Sequence, residues 1–325
     1  MDTVLLEEVP GDTIAEVGAV DIADDGTFLV ADRYRPRVRL YDAEGRFVAG
    51  HGRFGEGPFE YIRNTDVARD REGRVFVHDE GGRYSILNPP LEPDTLHSFP
   101  DRRRPRFAEG FADGVVQGYN EVGPQGRLQY WGILRDREGK RPWRVPAMPA
   151  RIAEVPYWSS VASPFATSAG DTLLIANSFL YPVHMYGSDG NPIGEIGSPP
   201  PSFREAPELE RGQFAFSDPG QAGTIHSTFE NWLNSFTVIA GLHVVRNRWL
   251  VVAHGQVPME AFPRFRVHSY ELYALDVYDL RSGRKVMEDV PIPEGYRVLG
   301  GGPYLHVLAA IPPEPWTVLK LDLPF

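Results

Sequence analysis

Apolar and polar residues alternate in short runs along this chain, and turn-forming residues separate the runs. The clearest unit is residues 21–60, in which Val38 and Leu40 alternate with charged residues. A period of two predicts β-strands that bury one face. Asp25 and Gly26 separate the first run of the unit from the second. They predict a tight hairpin turn, because such a turn requires a positive φ that glycine accepts.

The unit of four runs recurs along the chain, with shorter versions at residues 66–88 and 165–196. The end of the third run is the easiest feature to count, and most of these ends lie roughly 45 to 50 residues apart. They occur at Tyr41-Asp42, Leu87-Asn88, Arg135-Asp136, Ser188-Asp189, Tyr278-Asp279 and Leu321-Asp322. Four antiparallel strands repeated at this period predict the blades of a β-propeller.

The repeat therefore predicts an all-β protein with a single domain, residues 1–325, folded as a six-bladed β-propeller with four antiparallel strands per blade. The last blade stops after its third strand, at residues 321–323, and an unassigned apolar strand at residues 3–9 precedes the first blade. We expect this N-terminal strand to close the last blade, because that pairing removes two exposed sheet edges.

One interval, from Asp189 to Asp279, is about twice as long as the others. It could contain a seventh blade. An insertion at about residues 199–235, between blades 4 and 5, is the preferred interpretation, since much of it is rich in proline, glycine and charge and lacks a second-strand pattern. Residues 227–230 have the pattern of a capping box, which predicts a short helix that includes Trp232.

Residues 26–60 resemble the NHL repeat, in which a strand ending in Ala-Asp is followed by Arg-Val, Phe-Asp and Gly-Pro-Phe. The match is good over residues 21–86 and recognisable at residues 165–196. The resemblance implies a bacterial six-bladed propeller related to NHL-repeat proteins, many of which are exported or lipid-anchored. It also implies that Asp32 and Arg37 tie strands together. Such a repeat defines blade geometry and says little about function.

The composition narrows the range of functions. The net charge of −11 opposes binding to a phosphate backbone, so no nucleic-acid partner is expected. The chain has no cysteine, which excludes disulfides and thiolate chemistry. No apolar run reaches the roughly 18 residues of a membrane span, so no transmembrane segment is expected. The resemblance places the protein in the periplasm or outside the cell, with a lipid anchor on the full-length precursor as a further option.

The first strands of all blades in a propeller face a common channel, so polar residues in or just before these strands are candidates for a ligand site. Aromatic residues of the insertion add a second kind of candidate, because a long loop can contribute to binding. No cofactor is predicted, although converging oxygen ligands could hold Ca²⁺. The alternative is that these side chains cap strands or solvate the channel. The candidates are Glu16, Asp21, Asn64, Asp66, Glu109, Asn120, His226 and Trp232.

Two functions remain open. No nucleophile elbow and no helical zinc motif is present, so the catalytic residues are unknown and an exported propeller that binds a protein, peptide or glycan is the leading hypothesis. Residues 16–32 also resemble the first blade of gluconolactonase-type propellers, which implies that Glu16 is a metal ligand. The other ligands of that family have no match here. The alternative is thus a metal-dependent lactonase or lyase with its site at the channel mouth.

Overall fold

The computed structural model describes most of the chain as β-strands that are joined by short turns. The described residues are 2–79, 82–98, 107–122, 128–136, 138–140, 143–146, 164–207, 232, 235–256, 271–292, 296–309 and 316–324. They contain twenty-four strands in six sheets, each with four antiparallel strands. Within these residues no helix has the length and hydrophobicity that a membrane crossing requires.

Each sheet is one blade. In blades 1 to 5 the strands follow one another in sequence order from the channel outward, and in blade 6 the N-terminal strand is the outermost. Blade 1 contains β2 (Val17–Ile22), β3 (Phe28–Asp32), β4 (Arg37–Tyr41) and β5 (Phe47–His51). Blade 2 contains β6 (Asn64–Arg69), β7 (Val75–Asp79), β8 (Arg83–Asn88) and β9 (Glu92–Ser98). Blade 3 contains β10 (Ala108–Phe111), β11 (Gly114–Val122), β12 (Leu128–Asp136) and β13 (Arg144–Pro146). Blade 4 contains β14 (Pro164–Ala169), β15 (Thr172–Asn177), β16 (Leu180–Gly187) and β17 (Pro192–Ile196). Blade 5 contains β18 (Val238–Val245), β19 (Trp249–Gln256), β20 (Glu271–Asp279) and β21 (Lys285–Pro291). Blade 6 contains β22 (Tyr296–Gly300), β23 (Leu305–Ala309), β24 (Thr317–Leu321) and the N-terminal strand β1 (Asp2–Leu5).

The predicted closure of the ring by the N-terminal strand is confirmed. β1 pairs antiparallel with β24 from Asp2 opposite Lys320 to Leu5 opposite Thr317. The strand is shorter than the predicted residues 3–9. The first strands of adjacent blades contact one another around the whole ring, including β22 against β2. The six-bladed architecture is thereby complete.

All six counted run ends lie at or directly after the end of a third strand, so the repeat was located correctly. In blades 1, 3, 4 and 5 the aspartate at this position caps the turn to the fourth strand. Asp42 Oδ1 accepts the backbone N–H of Glu44 at 3.1 Å and of Arg46 at 2.9 Å. Asp136 caps the corresponding turn of blade 3 in the same way. Gly26 has the expected positive φ, at 86°. These turns recur because the aspartate side chain replaces a missing backbone acceptor.

The hydrophobic core lies between blades rather than at one centre. Five clusters of buried apolar residues among the described parts each fill the space between two adjacent sheets. In the cluster between blades 6 and 1, Val4 and Val318 pack with Phe28 and Tyr41. Second strands such as β3 and β7, in which every residue is buried, are therefore covered on both faces by neighbouring blades.

The predicted insertion at residues 199–235 falls mainly outside the described residues, and so does most of its predicted helix. The chain leaves blade 4 after β17 and enters blade 5 at β18, and the described sheets number six rather than seven. Of the described residues nearby, Phe203 is buried and its ring lies 5.1 Å from that of Tyr181.

Asp32 connects the loop before β2 to the turn between β3 and β4. Its carboxylate accepts the backbone N–H groups of Ala15 at 2.8 Å and of Arg35 at 3.0 Å. The guanidinium beside it belongs to Arg39, at 3.3 Å. Arg37, the repeat position, lies instead 3.2 Å from Asp12.

Candidate functional site

The central channel contains a cavity of about 670 Å³. It lies at the end of the channel where the first strands pass into short turns, and all six blades contribute to its wall. Carboxyl groups outnumber guanidinium groups among the lining residues, so the wall has an acidic character. The acidic residues are Asp21, Asp24, Asp25, Asp66, Asp70 and Glu109, and the arginines are Arg69 and Arg71.

Three of the predicted candidates, Asp21, Asp66 and Glu109, lie together in this wall. Each is on the first strand of its blade, in β2, β6 and β10 respectively. Neighbouring first strands therefore bring together acids that are more than forty residues apart in the sequence. The expectation that first strands converge on one site is met for these three residues.

Each of these acids accepts a backbone N–H from the first strand of the next blade. Asp21 Oδ2 accepts the N–H of Arg69 at 2.6 Å. Asp66 accepts the N–H of Ala108, and Glu109 accepts the N–H of Ser168. These bonds satisfy backbone donors that no strand pairing reaches, because first strands of different blades belong to different sheets.

The three acids differ in the charge that surrounds them. Asp21 is paired with Arg69, whose Nη2 lies 2.9 Å from its Oδ1. The side-chain partner of Glu109 is a neutral hydroxyl, since Ser168 Oγ donates a hydrogen bond to Glu109 Oε1 at 2.8 Å. Asp66 accepts the N–H of Val67 at 2.9 Å. A ligand that enters the cavity thus meets two acids with neutral hydrogen-bond partners and one that is ion-paired.

Burial raises the pKa of Asp66 to about 7, and the negative charge of Asp21 adds to the effect. Burial also raises the pKa of Glu109 to about 8, with further contributions from the charges of Asp21 and Asp66. On the opposite wall, burial lowers the pKa of His243 to about 4. Near neutral pH the cavity therefore holds carboxyl groups that both donate and accept hydrogen bonds, together with a neutral imidazole.

The close approach of the first strands is visible at Gly110. A Cβ atom at this position would lie 1.5 Å from the carbonyl oxygen of Arg69. Only glycine fits there, since a side chain would separate β6 from β10. Gly110 thus allows the close contact between β6 and β10, and this contact brings Glu109 close to Asp66.

Glu16 does not share this cavity. It directly precedes β2, whereas Asp21 lies near the other end of the same strand. Five residues of β-strand span about 16 Å. The Glu16 carboxylate lies 3.9 Å from the guanidinium of Arg33. One metal ion cannot contact both Glu16 and Asp21.

The remaining candidates are scattered. Asn64 is the first residue of β6, at the Glu16 end of the channel. Asn120 lies in β11, the second strand of its blade, and not in a first strand as expected. His226 lies outside the described residues. Trp232 is buried against Phe236, with the ring centres 4.8 Å apart, so it is not an exposed aromatic.

Sequence reasoning missed Arg69, Ser168 and His243 as components of the site. Ser168 lies in β14, the first strand of a repeat unit that the sequence located. His243 lies in β18, within the long interval from Asp189 to Asp279. No sequence signal marked that strand.

No family model and no curated protein matches the chain. Several solved structures do match the chain in fold. A member of the DUF4221 family from Bacteroides vulgatus is 11% identical, with a TM-score of 0.65 over 97% of this chain and 94% of that one. A "putative exported protein" of Bacteroides fragilis is 15% identical, with a TM-score of 0.59 over 87% of this chain and 74% of that one. Virginiamycin B lyase from Staphylococcus aureus is 9% identical, with a TM-score of 0.53 over 95% of this chain and 81% of that one. At these identities the likeness shows the propeller fold alone.

Proposed function

We propose that this protein is an exported, NHL-like binding propeller that takes a segment of a peptide or glycan into the central cavity. The observation that carries the proposal is the convergence of Asp66, Glu109 and Ser168 on one acidic cavity. Export is inferred from the resemblance of residues 21–86 to NHL repeats. Cell fractionation of the full-length gene product tests this part, and a cytoplasmic product would contradict it.

The size of the cavity favours a ligand larger than an ion and smaller than a folded domain. Small-molecule sites commonly measure about 300–1,000 Å³, and this cavity measures about 670 Å³. It can hold one or two amino-acid side chains or a few sugar rings. A protein partner would therefore insert a segment rather than dock a flat face.

The charge of the cavity favours ligands that donate hydrogen bonds. Carboxyl groups with raised pKa values gain most from a cation or from several hydroxyl donors, because either partner replaces the hydration they have lost. A lysine or arginine side chain would lower the pKa values of Asp66 and Glu109 on binding. Protons would then be released near neutral pH. A neutral glycan would leave the protons in place.

Calorimetric titration with basic, neutral and acidic peptides and with neutral oligosaccharides tests the proposal. Titrations in buffers of different ionisation enthalpy report the protons released. We expect binding by a basic peptide or an oligosaccharide. For the basic peptide, Glu109→Gln should weaken binding about tenfold or more, because it removes a charge-assisted hydrogen bond. Proton release on binding identifies the basic peptide as the ligand class.

Glu44→Gln is the matched control, since Glu44 is exposed at a turn of blade 1. The control should bind as the unmodified protein does. Equal affinity of Glu109→Gln and the control, or binding of acidic peptides alone, would overturn the placement of the site.

An enzyme acting at the same cavity is the second candidate, and the raised pKa values of Asp66 and Glu109 favour it. Acids and bases transfer protons best when their pKa values lie near the working pH. A lactonase or lyase that used a metal here would need cavity residues other than Glu16 as ligands. Mass spectrometry of each ligand after the titration separates the two functions, because a binding protein returns its ligand unchanged.

A further inference from the structure

One group of histidine and carboxylate side chains in the described part of the chain has the spacing of a metal site. It lies in blade 5, outside the residues that line the channel cavity, and consists of His254, Asp276 and Asp289. One nitrogen or oxygen atom from each residue lies within 4.8 Å of the other two. The residues come from three consecutive strands, β19, β20 and β21.

A β-bulge brings Asp289 into the group. β20 and β21 pair Leu275 with Val290 and Val277 with Met287, so two residues of β21 lie opposite Asp276. Bulges of this kind redirect a side chain and often occur beside functional sites. Asp289 has a φ of 50°, and its backbone N–H donates to Asp276 Oδ1 at 3.0 Å. The bulge thus holds the two aspartates side by side.

The imidazole of His254 points between the two carboxylates. The side chain is 2% exposed, and its Nε2 is buried without a hydrogen-bond partner. Nε2 lies 3.7 Å from Asp276 Oδ1 and 3.6 Å from Asp289 Oδ1. These separations are too long for hydrogen bonds, and a buried nitrogen without a partner is uncommon.

The same separations suit ligands that share a metal ion. With bonds of about 2.0–2.2 Å, two ligands of a tetrahedral Zn²⁺ lie about 3.4 Å apart. A small contraction of the group would place one ion within bonding distance of all three atoms.

The surroundings of Asp276 fix its orientation. Its Oδ2 accepts hydrogen bonds from the hydroxyls of Tyr181 at 3.2 Å and Tyr278 at 3.3 Å, and Lys285 Nζ lies 3.4 Å away. The other oxygen, Oδ1, accepts the backbone N–H of Asp289 and faces His254. Partners that orient a ligating carboxylate in this way are typical of metal sites.

We propose that His254, Asp276 and Asp289 bind one divalent transition-metal ion, with Zn²⁺ as the best fit. An imidazole ligand favours zinc over calcium, which prefers oxygen ligands alone. The Asp289 side chain is 28% exposed, which gives the ion a route from solvent and leaves a position for water. Ser202 N–H donates to Asp289 Oδ2 at 3.2 Å, so the ion would also tie the segment after β17 to blade 5.

The test is calorimetric titration of chelator-treated protein with Zn²⁺, with elemental analysis of the product after gel filtration. We expect one zinc per chain and a higher melting temperature with zinc than without it.

Two variants locate the ion. Asp289→Asn changes a partly exposed residue and should preserve the fold, whereas His254→Gln changes a buried residue. Each should weaken zinc binding by more than about 100-fold, because loss of a ligand exceeds the effect of losing a residue that orients one. His184→Gln is the matched control, since His184 Nδ1 lies 3.0 Å from Glu195 at the surface of blade 4.

Circular dichroism first establishes that each variant is folded. Cobalt substitution then gives an independent readout, because the visible absorption of tetrahedral Co²⁺ should appear in the unmodified protein and the control and be absent from folded Asp289→Asn. The proposal is overturned if the unmodified protein takes up no zinc, or if Asp289→Asn retains it. Loss of zinc in His184→Gln would also overturn it and would mark an adventitious surface ion only.

Discussion

Arg39 is the largest side chain that the described part of the fold buries completely. Its guanidinium lies between two carboxylates, with Nη2 2.6 Å from Asp12 and Nη1 3.3 Å from Asp32. Asp32 is also fully buried. A buried carboxylate without its cation is strongly unfavourable, so Arg39 is required by the residues around it.

Arg39→Met should lower the free energy of unfolding by about 3–5 kcal/mol, because it leaves a buried carboxylate unpaired. Arg37→Met is the matched control. The Arg37 side chain is 37% exposed, and loss of its contact with Asp12 should change stability by about 1 kcal/mol or less. Urea unfolding of the two variants measures the difference. Equal destabilisation would show that the Asp32 carboxylate does not depend on Arg39.

The sequence identified Asp32 and missed Arg39 for a physical reason. Alternation along β4 places Arg39 between Val38 and Leu40, which assigns it to a solvent-facing side. In a propeller, however, the middle strands of a blade are covered by the neighbouring blades on both faces. The burial of a charged residue on such a strand depends on partners from the loop before β2, which no local pattern reveals.

At the scale of a strand, the four residues of β1 close the ring by pairing with β24. Val4 faces the cluster between blades 6 and 1 and is 4% exposed, whereas Leu5 points outward and is 53% exposed. The same substitution at these adjacent positions therefore tests one face of the strand against the other.

Val4→Asp should lower the free energy of unfolding by about 3 kcal/mol or more, because it buries a carboxylate among apolar side chains without a partner. Leu5→Asp should change it by about 0.5 kcal/mol or less, as is usual at exposed positions. Thermal unfolding at one pH and one protein concentration gives the comparison. Similar melting temperatures for the two variants would contradict the observed facing of β1.

Strands differed in how well the sequence predicted them. Third strands were located in all six blades, because an aspartate, or Asn88 in blade 2, lies at or just after the end of each. First strands carry no such mark, and β10 has only four residues. Asn120 was assigned to a first strand for that reason. The candidate site was thus predictable at Asp21, Asp66 and Glu109, and not at His243 in blade 5.

At the scale of the molecule, the channel cavity and the blade 5 cluster are assembled in different ways. The cavity takes one or two polar residues from each of several first strands, so a repeat pattern points toward it. His254, Asp276 and Asp289 lie within one blade, and a bulge brings them together. Bulges leave no periodic signal in a sequence, which is why spacing alone did not identify this group.

The raised pKa values of Asp66 and Glu109 link the stability of the whole ring to pH. A carboxyl group with a higher pKa in the folded protein binds its proton more tightly there than in the unfolded chain. The folded state therefore loses stability as the pH rises from about 4 to about 8, between the unfolded and folded pKa values.

Buried histidines act in the opposite sense. The pKa of His78 is lowered to about 3 and that of His306 to about 4, both mainly by burial. Their contribution to stability increases as the pH rises from about 4 to about 6.5.

With His243, whose pKa is also lowered to about 4, three histidines oppose the two acids, and together they predict a stability maximum near about pH 6.5. The variant Asp66→Asn/Glu109→Gln keeps both side chains uncharged, so its advantage over the unmodified protein should grow between about pH 5 and about pH 8.5. After allowance for water in the cavity, we expect a gain of about 2 kcal/mol. Urea unfolding at the two pH values measures the gain, with Glu44→Gln as the control for loss of a surface charge.

A gain of equal size at both pH values would show that the two acids are ionised in the folded protein throughout this range. The inter-blade bonds of Asp66 and Glu109 would then be made by carboxylates, and the cavity would carry their full negative charge at neutral pH.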